Sequence, residues 1–180
     1  MTAPRVVLVG APGAGKTTVG QLVAERLGVA LRDTDQDVED SQGVSVQDIF
    51  VTQGEEHFRV LEEQAVATAL AEHDGVLSLG GGAILSEATR AVLAGHRVVF
   101  LDIGLSAAAS RVGLGAGRPL LFGNVRARLK GLLDARRPLY SEVATFTVLT
   151  DDLGPDEVAD RIQAWLDPRS NDDGVGEDEA

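Results

Sequence analysis

The chain has 180 residues, 44% hydrophobic and 24% charged, which suits one globular domain with a sizeable core and leaves no room for two substantial ones. A net charge of −12 argues against general binding to nucleic acid or to an acidic membrane, because the sequence-independent part of both needs a basic surface. There is no cysteine, which excludes disulfides, thiolate metal sites and cysteine nucleophiles, and no segment near Met1 is apolar for long enough to span a bilayer.

In chain order, Arg5 to Val9 reads as a buried strand, followed by Gly10-Ala11-Pro12-Gly13-Ala14-Gly15-Lys16-Thr17. That octapeptide fits the phosphate-binding pattern G-x-x-x-x-G-K-[ST] at every fixed position. The helical pattern from Gly15 to Leu27, with Val19, Leu22, Val23 and Leu27 on one face, completes the strand, glycine loop and helix that the motif requires. The chemistry explains the residue types. A polyphosphate must be wrapped by inward-pointing backbone N–H groups, and side chains on the curve would block the approach. The first turn of the helix adds free N–H groups and a favourable dipole. Lys16 reaches the β- and γ-phosphates, and the Thr17 hydroxyl suits Mg²⁺.

Gly28 stops the helix, and Val29-Ala30-Leu31 reads as a short second strand ending in Asp33-Thr34-Asp35. At the carboxyl end of a strand in an open α/β sheet, such acids face the ligand crevice. Val38 to His73 is mainly helical with breaks at Gly43 and Gly54. Val76 to Leu79 is the third strand and runs into Gly80-Gly81-Gly82; Ser86 caps a helix ended by Gly95. A strand covers Val98 to Leu101, and another helix runs from Ser106 to Arg111. Val112 to Val125, with Gly113, Gly115, Gly117 and Gly123, reads as a flexible lid-like loop. Val125 to Tyr140 is helical, Phe146 to Leu149 is the fifth strand, and Asp156 to Leu166 a last amphipathic helix. From Pro168 the chain is polar and acidic, which predicts a disordered tail over 168–180 and accounts for four of the net negative charges. The alternation predicts an α/β fold: a mainly parallel five-stranded sheet with helices on both faces, in one domain over 1–167.

A phosphoryl-transfer site also needs an acceptor clamp, a proton partner and cations for the developing charge. Asp35 is a candidate partner for an acceptor hydroxyl, and Asp33 for Mg²⁺ through water. Arg59 and Arg136 are candidate forks for a carboxylate, where bidentate geometry favours arginine. Arg118, in the glycine loop, is placed to close over the γ-phosphate. Each has a plainer alternative, since an aspartate at a strand end is often a helix cap and helix arginines are often solvated.

The ordered set Gly10 to Thr17, Asp33-Thr34-Asp35, Gly54-Glu55-x-x-Phe58-Arg59, Gly80-Gly81-Gly82, Arg118-Pro119-Leu120-Leu121 and Arg136-x-Pro138-Leu139-Tyr140 resembles the shikimate kinase family over about residues 4 to 166. The resemblance implies a P-loop kinase, a three-layer α/β/α fold like that of the nucleoside monophosphate kinases, with a helical substrate-binding insertion about 36–73 and a lid about 112–125. It implies transfer of the ATP γ-phosphoryl to the 3-hydroxyl of shikimate. On that likeness Gly13, Ala14, Gly15, Lys16, Thr17 and Thr18 hold the nucleotide phosphates, Arg111 packs on adenine, and Lys16 and Arg118 stabilise the transferring group. Asp35 binds the acceptor hydroxyls and serves as base, Arg59 and Arg136 hold its carboxylate, and the Gly80, Gly81 and Gly82 amides line the same pocket. Thr17 and Asp33 serve Mg²⁺, and the expected protein is a cytoplasmic monomer with no nucleic-acid or membrane partner.

Other small-molecule kinases of the same architecture, acting on gluconate or nucleoside monophosphates, share the phosphate loop, so Asp35, Arg59 and Arg136 are the discriminating residues. A GTPase-like switch would commonly carry N-K-x-D. The two lysines, Lys16 after Gly15 and Lys130 after Leu129, do not allow it. The three histidines, His57, His73 and His96, have no metal-ligand spacing.

Overall fold

The computed structural model describes residues 2–111 and 119–168, with the backbone alone over 119–124. Among these residues, strands β1 (Val6–Val9), β2 (Leu31–Asp33), β3 (Val76–Ser78), β4 (Val98–Asp102) and β5 (Phe146–Leu149) form one sheet in the order β2-β3-β1-β4-β5. Every pairing is parallel. β1 and β3 are buried along their whole length, as central parallel strands covered on both faces must be, and this is why they read as unbroken apolar runs.

The direction of the crossovers decides the layers. Helix α1 (Lys16–Leu27) carries the chain from β1 toward β2, whereas every later crossover runs the opposite way along the sheet. Because parallel crossovers are right-handed, α1 lies on one face, and α2 (Thr34–Gln42), α3 (Val46–Gln53), α4 (Glu55–Glu72), α5 (Glu87–Leu93), α6 (Leu105–Arg111) and α7 (Pro119–Val143) lie on the other. Helix α8 (Pro155–Leu166) returns to pack on α1, where Arg26 pairs with Asp156 and Asp160. The reversal after β1 makes the carboxyl end of that strand the switch point at which open α/β sheets bind ligands.

The expected breaks at Gly43 and Gly54 are the C-caps of α2 and α3. The three helices of the insertion share a small core of their own, Val38, Ile49 and Phe58. Ser86 caps α5 as its sequence suggests, accepting from the Thr89 N–H at 3.1 Å. No helix among the described residues is long and apolar enough to cross a membrane.

Beside an earlier start of α2, at Thr34 rather than Val38, and a later end of α7, at Val143 rather than Tyr140, two boundaries differ from the sequence reading in ways that a neighbouring residue explains. The second strand spans Leu31–Asp33 rather than Val29 to Leu31. Gly28 and Val29 are consumed by the end of α1: their N–H groups bond to the Glu25 and Ala24 carbonyls, the double closure that follows a left-handed glycine. The strand starts only where Leu31 comes into register with Val76. The second difference concerns the loop expected from Val112 to Val125, because α7 already begins at Pro119. Proline is favoured at a first helical position, where its missing N–H costs nothing. Residues 112–118, and the tail beyond Pro168, lie outside the described residues.

Candidate active site

The phosphate loop leaves β1 at Gly10 and enters α1 at Gly15, whose φ of 92° is left-handed and suits glycine. The first turn of α1 has neither a side-chain cap nor an acidic residue. Its N–H groups and dipole are therefore left for an anion. Thr17 and Thr18 stand exposed on that turn. Lys16 folds back over its own loop, its Nζ donating to the Gly10 carbonyl at 2.7 Å and the Ala11 carbonyl at 3.1 Å. Burial lowers its pKa from 10.5 to about 8, against the pull of Asp35 and Asp33 and with some help from Arg136.

Asp33 and Asp35 serve different local purposes. Asp33 ends β2 and caps α2, its Oδ1 accepting from the Asp35 N–H at 2.9 Å and the Gln36 N–H at 3.4 Å. Asp35 sits in the first turn of α2 rather than on the strand end, and its carboxyl is raised above the ordinary range, first by burial and then by Asp33. Lys16 opposes that shift. Between them the buried Thr34 hydroxyl accepts from the Gly80 N–H at 3.1 Å, which ties α2 to the glycine loop.

Gly80, Gly81 and Gly82 are where three parts of the site meet. A Cβ on Gly80 would fall 2.4 Å from Asp35 Oδ1, one on Gly81 3.0 Å from Pro12 Cδ, and one on Gly82 2.2 Å from Arg59 Nη1. The three missing side chains thus let the acid, the phosphate loop and the arginine close on the same backbone. Arg59 is held from its own helix: Nη1 donates to Glu62 at 2.8 Å and Nη2 to Glu55 at 3.1 Å. Its guanidinium carbon also lies 5.4 Å from the Phe58 ring centroid and 5.7 Å from that of Phe50, within cation–π range. Glu62 is only 3% exposed; burial pushes its carboxyl up and the bonds from Arg59 pull it back.

Arg136, half-buried on α7, stands near enough for its charge to act on Lys16, Glu62 and Tyr140. So the residues expected on the acceptor side, Asp35, Arg59, Gly80 to Gly82 and Arg136, converge on the phosphate loop. A cleft of about 400 Å³ bordered by Lys16, Thr17, Asp33, Asp35, Gly81 and Arg111 opens between the phosphate loop and Asp35, with Arg59 and Arg136 outside its lining.

On the other side of Arg111 a second cleft of about 350 Å³ is lined by Thr18, Val19, Leu153, Pro155 and Val158. Arg111 forms its wall, with Nη2 donating to the Thr150 carbonyl at 2.8 Å and Nη1 within 3.4 Å of the Gly13 and Ala14 carbonyls. Arg118 lies outside the described residues. No group of three or more His, Asp or Glu side chains that could hold a metal is found among the described residues. A cavity of about 590 Å³ between α2 and α4 shares no lining residue with these two clefts, and the cation in its lining, Arg32, is already paired with Asp37 at 2.7 Å.

Sequence reading missed three participants. Glu62 had a signal in its i,i+3 spacing from Arg59 on a helix, although spacing says nothing of burial. Thr34 and Tyr140 lay inside quoted motifs without a role. The apolar wall at Leu153 and Pro155 has no motif at all.

A shikimate kinase family model matches residues 12–167. The chain is 60% identical over 167 residues to a shikimate kinase of Streptomyces avermitilis, covering 93% of this chain and 96% of the relative. Among solved structures, a shikimate kinase from Acinetobacter baumannii in complex with shikimate superposes with a TM-score of 0.82 at 34% identity, over 92% of this chain and 93% of that one. A gluconokinase from Sinorhizobium meliloti, at 21% identity and a TM-score of 0.55 over 89% and 90% of the two chains, shares the fold alone. With the phosphate loop, Asp35 and the glycine loop gathered around one cleft, and with a match running through nearly the whole domain, the chain belongs to the shikimate kinase family.

Proposed function

We propose that this enzyme, an ATP-dependent phosphotransferase, transfers the γ-phosphoryl group of ATP to the 3-hydroxyl of shikimate, giving shikimate 3-phosphate and ADP. The observation that carries this reading is the meeting of Asp35 and Arg59 at Gly80 and Gly82, beside the cleft that Lys16 and Asp35 line, with Arg136 near enough for its charge to act on Lys16. Shikimate carries one carboxylate and three hydroxyls. Two guanidinium groups, one carboxylate and a row of backbone amides match that set of polar groups, whereas an apolar pocket would not.

In this reading the uncapped start of α1, from Gly13 to Thr18, receives the phosphates. Lys16 leaves the Gly10 and Ala11 carbonyls for the β- and γ-oxygens, and Arg118 joins it over the transferring group. Arg111, Leu153 and Pro155 bound the adenine side. Asp35 accepts the proton of the attacking hydroxyl, a task its raised pKa suits, because a base nearer the working pH gains driving force for proton transfer. Glu62 and the Phe50 and Phe58 rings keep the Arg59 fork pointed at the acceptor carboxylate. A Mg²⁺ ion fits the Thr17 hydroxyl and the Asp33 carboxylate, since that metal keeps several waters and takes few protein ligands beside phosphate. When bound it would neutralise charge on the β- and γ-phosphates. The molecule is proposed to act as a monomer in the cytoplasm, in keeping with its size and its dependence on ATP.

A coupled ADP-release assay offering shikimate, gluconate and nucleoside monophosphates in parallel tests the assignment. Turnover with shikimate at least a hundred times the others is expected, by the discrimination that paired charges allow (about 10²-fold or more). Preference for gluconate or a nucleotide would overturn it.

A further inference from the structure

Tyr140 is the one aromatic side chain that reaches the backbone of the glycine loop among the described residues, and no step above uses it. It is 2% exposed, stacks on Phe100 with ring centroids 5.0 Å apart, and donates its hydroxyl hydrogen to the Gly81 carbonyl. A trans peptide points its N–H opposite to its C=O. Fixing the Gly81 carbonyl on the Tyr140 side therefore turns the Gly82 N–H away from Tyr140. Among the described residues neither the Gly81 nor the Gly82 N–H donates to another backbone group, so both are free for a ligand.

The same hydroxyl has a second neighbour. Arg136 precedes Tyr140 by four residues on α7, so the two side chains share a face, and the charge of Arg136 acts on the phenol. A phenol can donate once and still accept, so while the hydroxyl donates to Gly81 its oxygen keeps lone pairs to offer the guanidinium on the same face. Between the two stands Pro138, inside the helix. Proline removes the N–H that would bond to the Asp134 carbonyl, and the turn carrying Arg136 is that much less secured by its own ladder. What secures it is lateral: Arg137 to Asp102 at 3.1 Å on one side, Tyr140 to Gly81 on the other.

We propose that Tyr140 is a positioning residue for the acceptor, its hydroxyl setting the Gly81–Gly82 peptide and the Arg136 guanidinium as one unit. The inference rests on the reading that shikimate binds in this cleft. It acts on the acceptor side alone, since none of the phosphate-loop hydrogen bonds involves Tyr140.

The test is Tyr140→Phe, which keeps the ring stacked on Phe100 and removes only the oxygen. Steady-state kinetics against each substrate and thermal unfolding are measured on wild type and variant together. The expected result is a rise of about tenfold in KM for shikimate, KM for ATP within about twofold of wild type, and a melting temperature lowered by no more than about 4 °C. Unchanged KM values overturn the inference. So does a parallel rise in both, or a large fall in melting temperature without a selective change in the shikimate constant, either of which marks a purely structural residue. Wild type that leaves shikimate unphosphorylated overturns the reading of the cleft, and this inference with it; normal wild-type turnover beside an unaltered variant overturns this inference alone.

Discussion

Replacing Lys16 by methionine separates what this residue does for catalysis from what it costs the fold. With a pKa of about 8 against 10.5 when unfolded, the ammonium is disfavoured in the native state, and burial is the main cause. Below pH 8 both states are charged and the fold carries the whole penalty. Between about 8 and 10.5 the unfolded chain still holds the proton that the folded one has released, so stability rises with pH across that window. A shift of this size corresponds to about 3 kcal/mol at most. Lys16 is only half-buried as a residue, so water screens part of it, and about 1–2 kcal/mol is the working expectation.

Urea unfolding of wild type and Lys16→Met at pH 7 and pH 10 isolates that titration, because effects common to both pH values cancel in the double difference. Wild type is expected to gain about 1–2 kcal/mol on the variant between the two, a few degrees in melting temperature for a domain of this size. Turnover at pH 7 should be lost in the variant. A double difference of zero, or one in which the variant gains with rising pH, would refute the claim that the fold holds a strained charge beneath the phosphates.

Three further substitutions probe the rest of the cleft. Asp35→Asn should lower kcat by about 10²–10⁴. In wild type the rate should fall as pH drops through the raised pKa of Asp35, so the acid limb sits above that of an ordinary carboxylate, and near-normal turnover in the variant removes Asp35 from the mechanism. Arg136→Ala should abolish useful shikimate turnover while calorimetry still detects ATP binding; equal loss of both counts against its role. Gly82→Ala sets a methyl group 2.2 Å from Arg59 Nη1, the far end of a flexible side chain. The arginine should yield rather than the backbone, raising KM for shikimate by about tenfold or more with little change in melting temperature, and a large loss of stability with an unaltered KM would contradict that account.

The parts of the chain legible without coordinates are those where one short segment carries its own physics. The octapeptide from Gly10 to Thr17 needs only its own backbone and the helix it opens to define an anion cradle. Gly43, Gly54 and Ser86 likewise end or begin helices by local conformation. The reading fails where a neighbour decides. Val29 and Ala30 look like strand residues, but the closure at Gly28 takes the first of them, and the pairing partner Val76 sets where β2 begins. Gly123 looks like loop, and the helix that starts at Pro119 runs through it.

The sequence by itself determined that this molecule handles nucleotide phosphates within a parallel α/β fold, because glycine spacing and apolar periodicity are properties of contiguous residues. Its ordered motifs also singled out Asp35, Arg59 and Arg136. Only the tertiary structure decided that Asp35 and Arg59, drawn from α2 and α4, meet at Gly80 and Gly82, with Arg136 of α7 near enough for its charge to act on Lys16. It also decided that a buried Glu62 holds Arg59 and that Tyr140 bonds to Gly81, since burial and approach between distant segments follow from how the helices pack on the sheet and not from any local pattern.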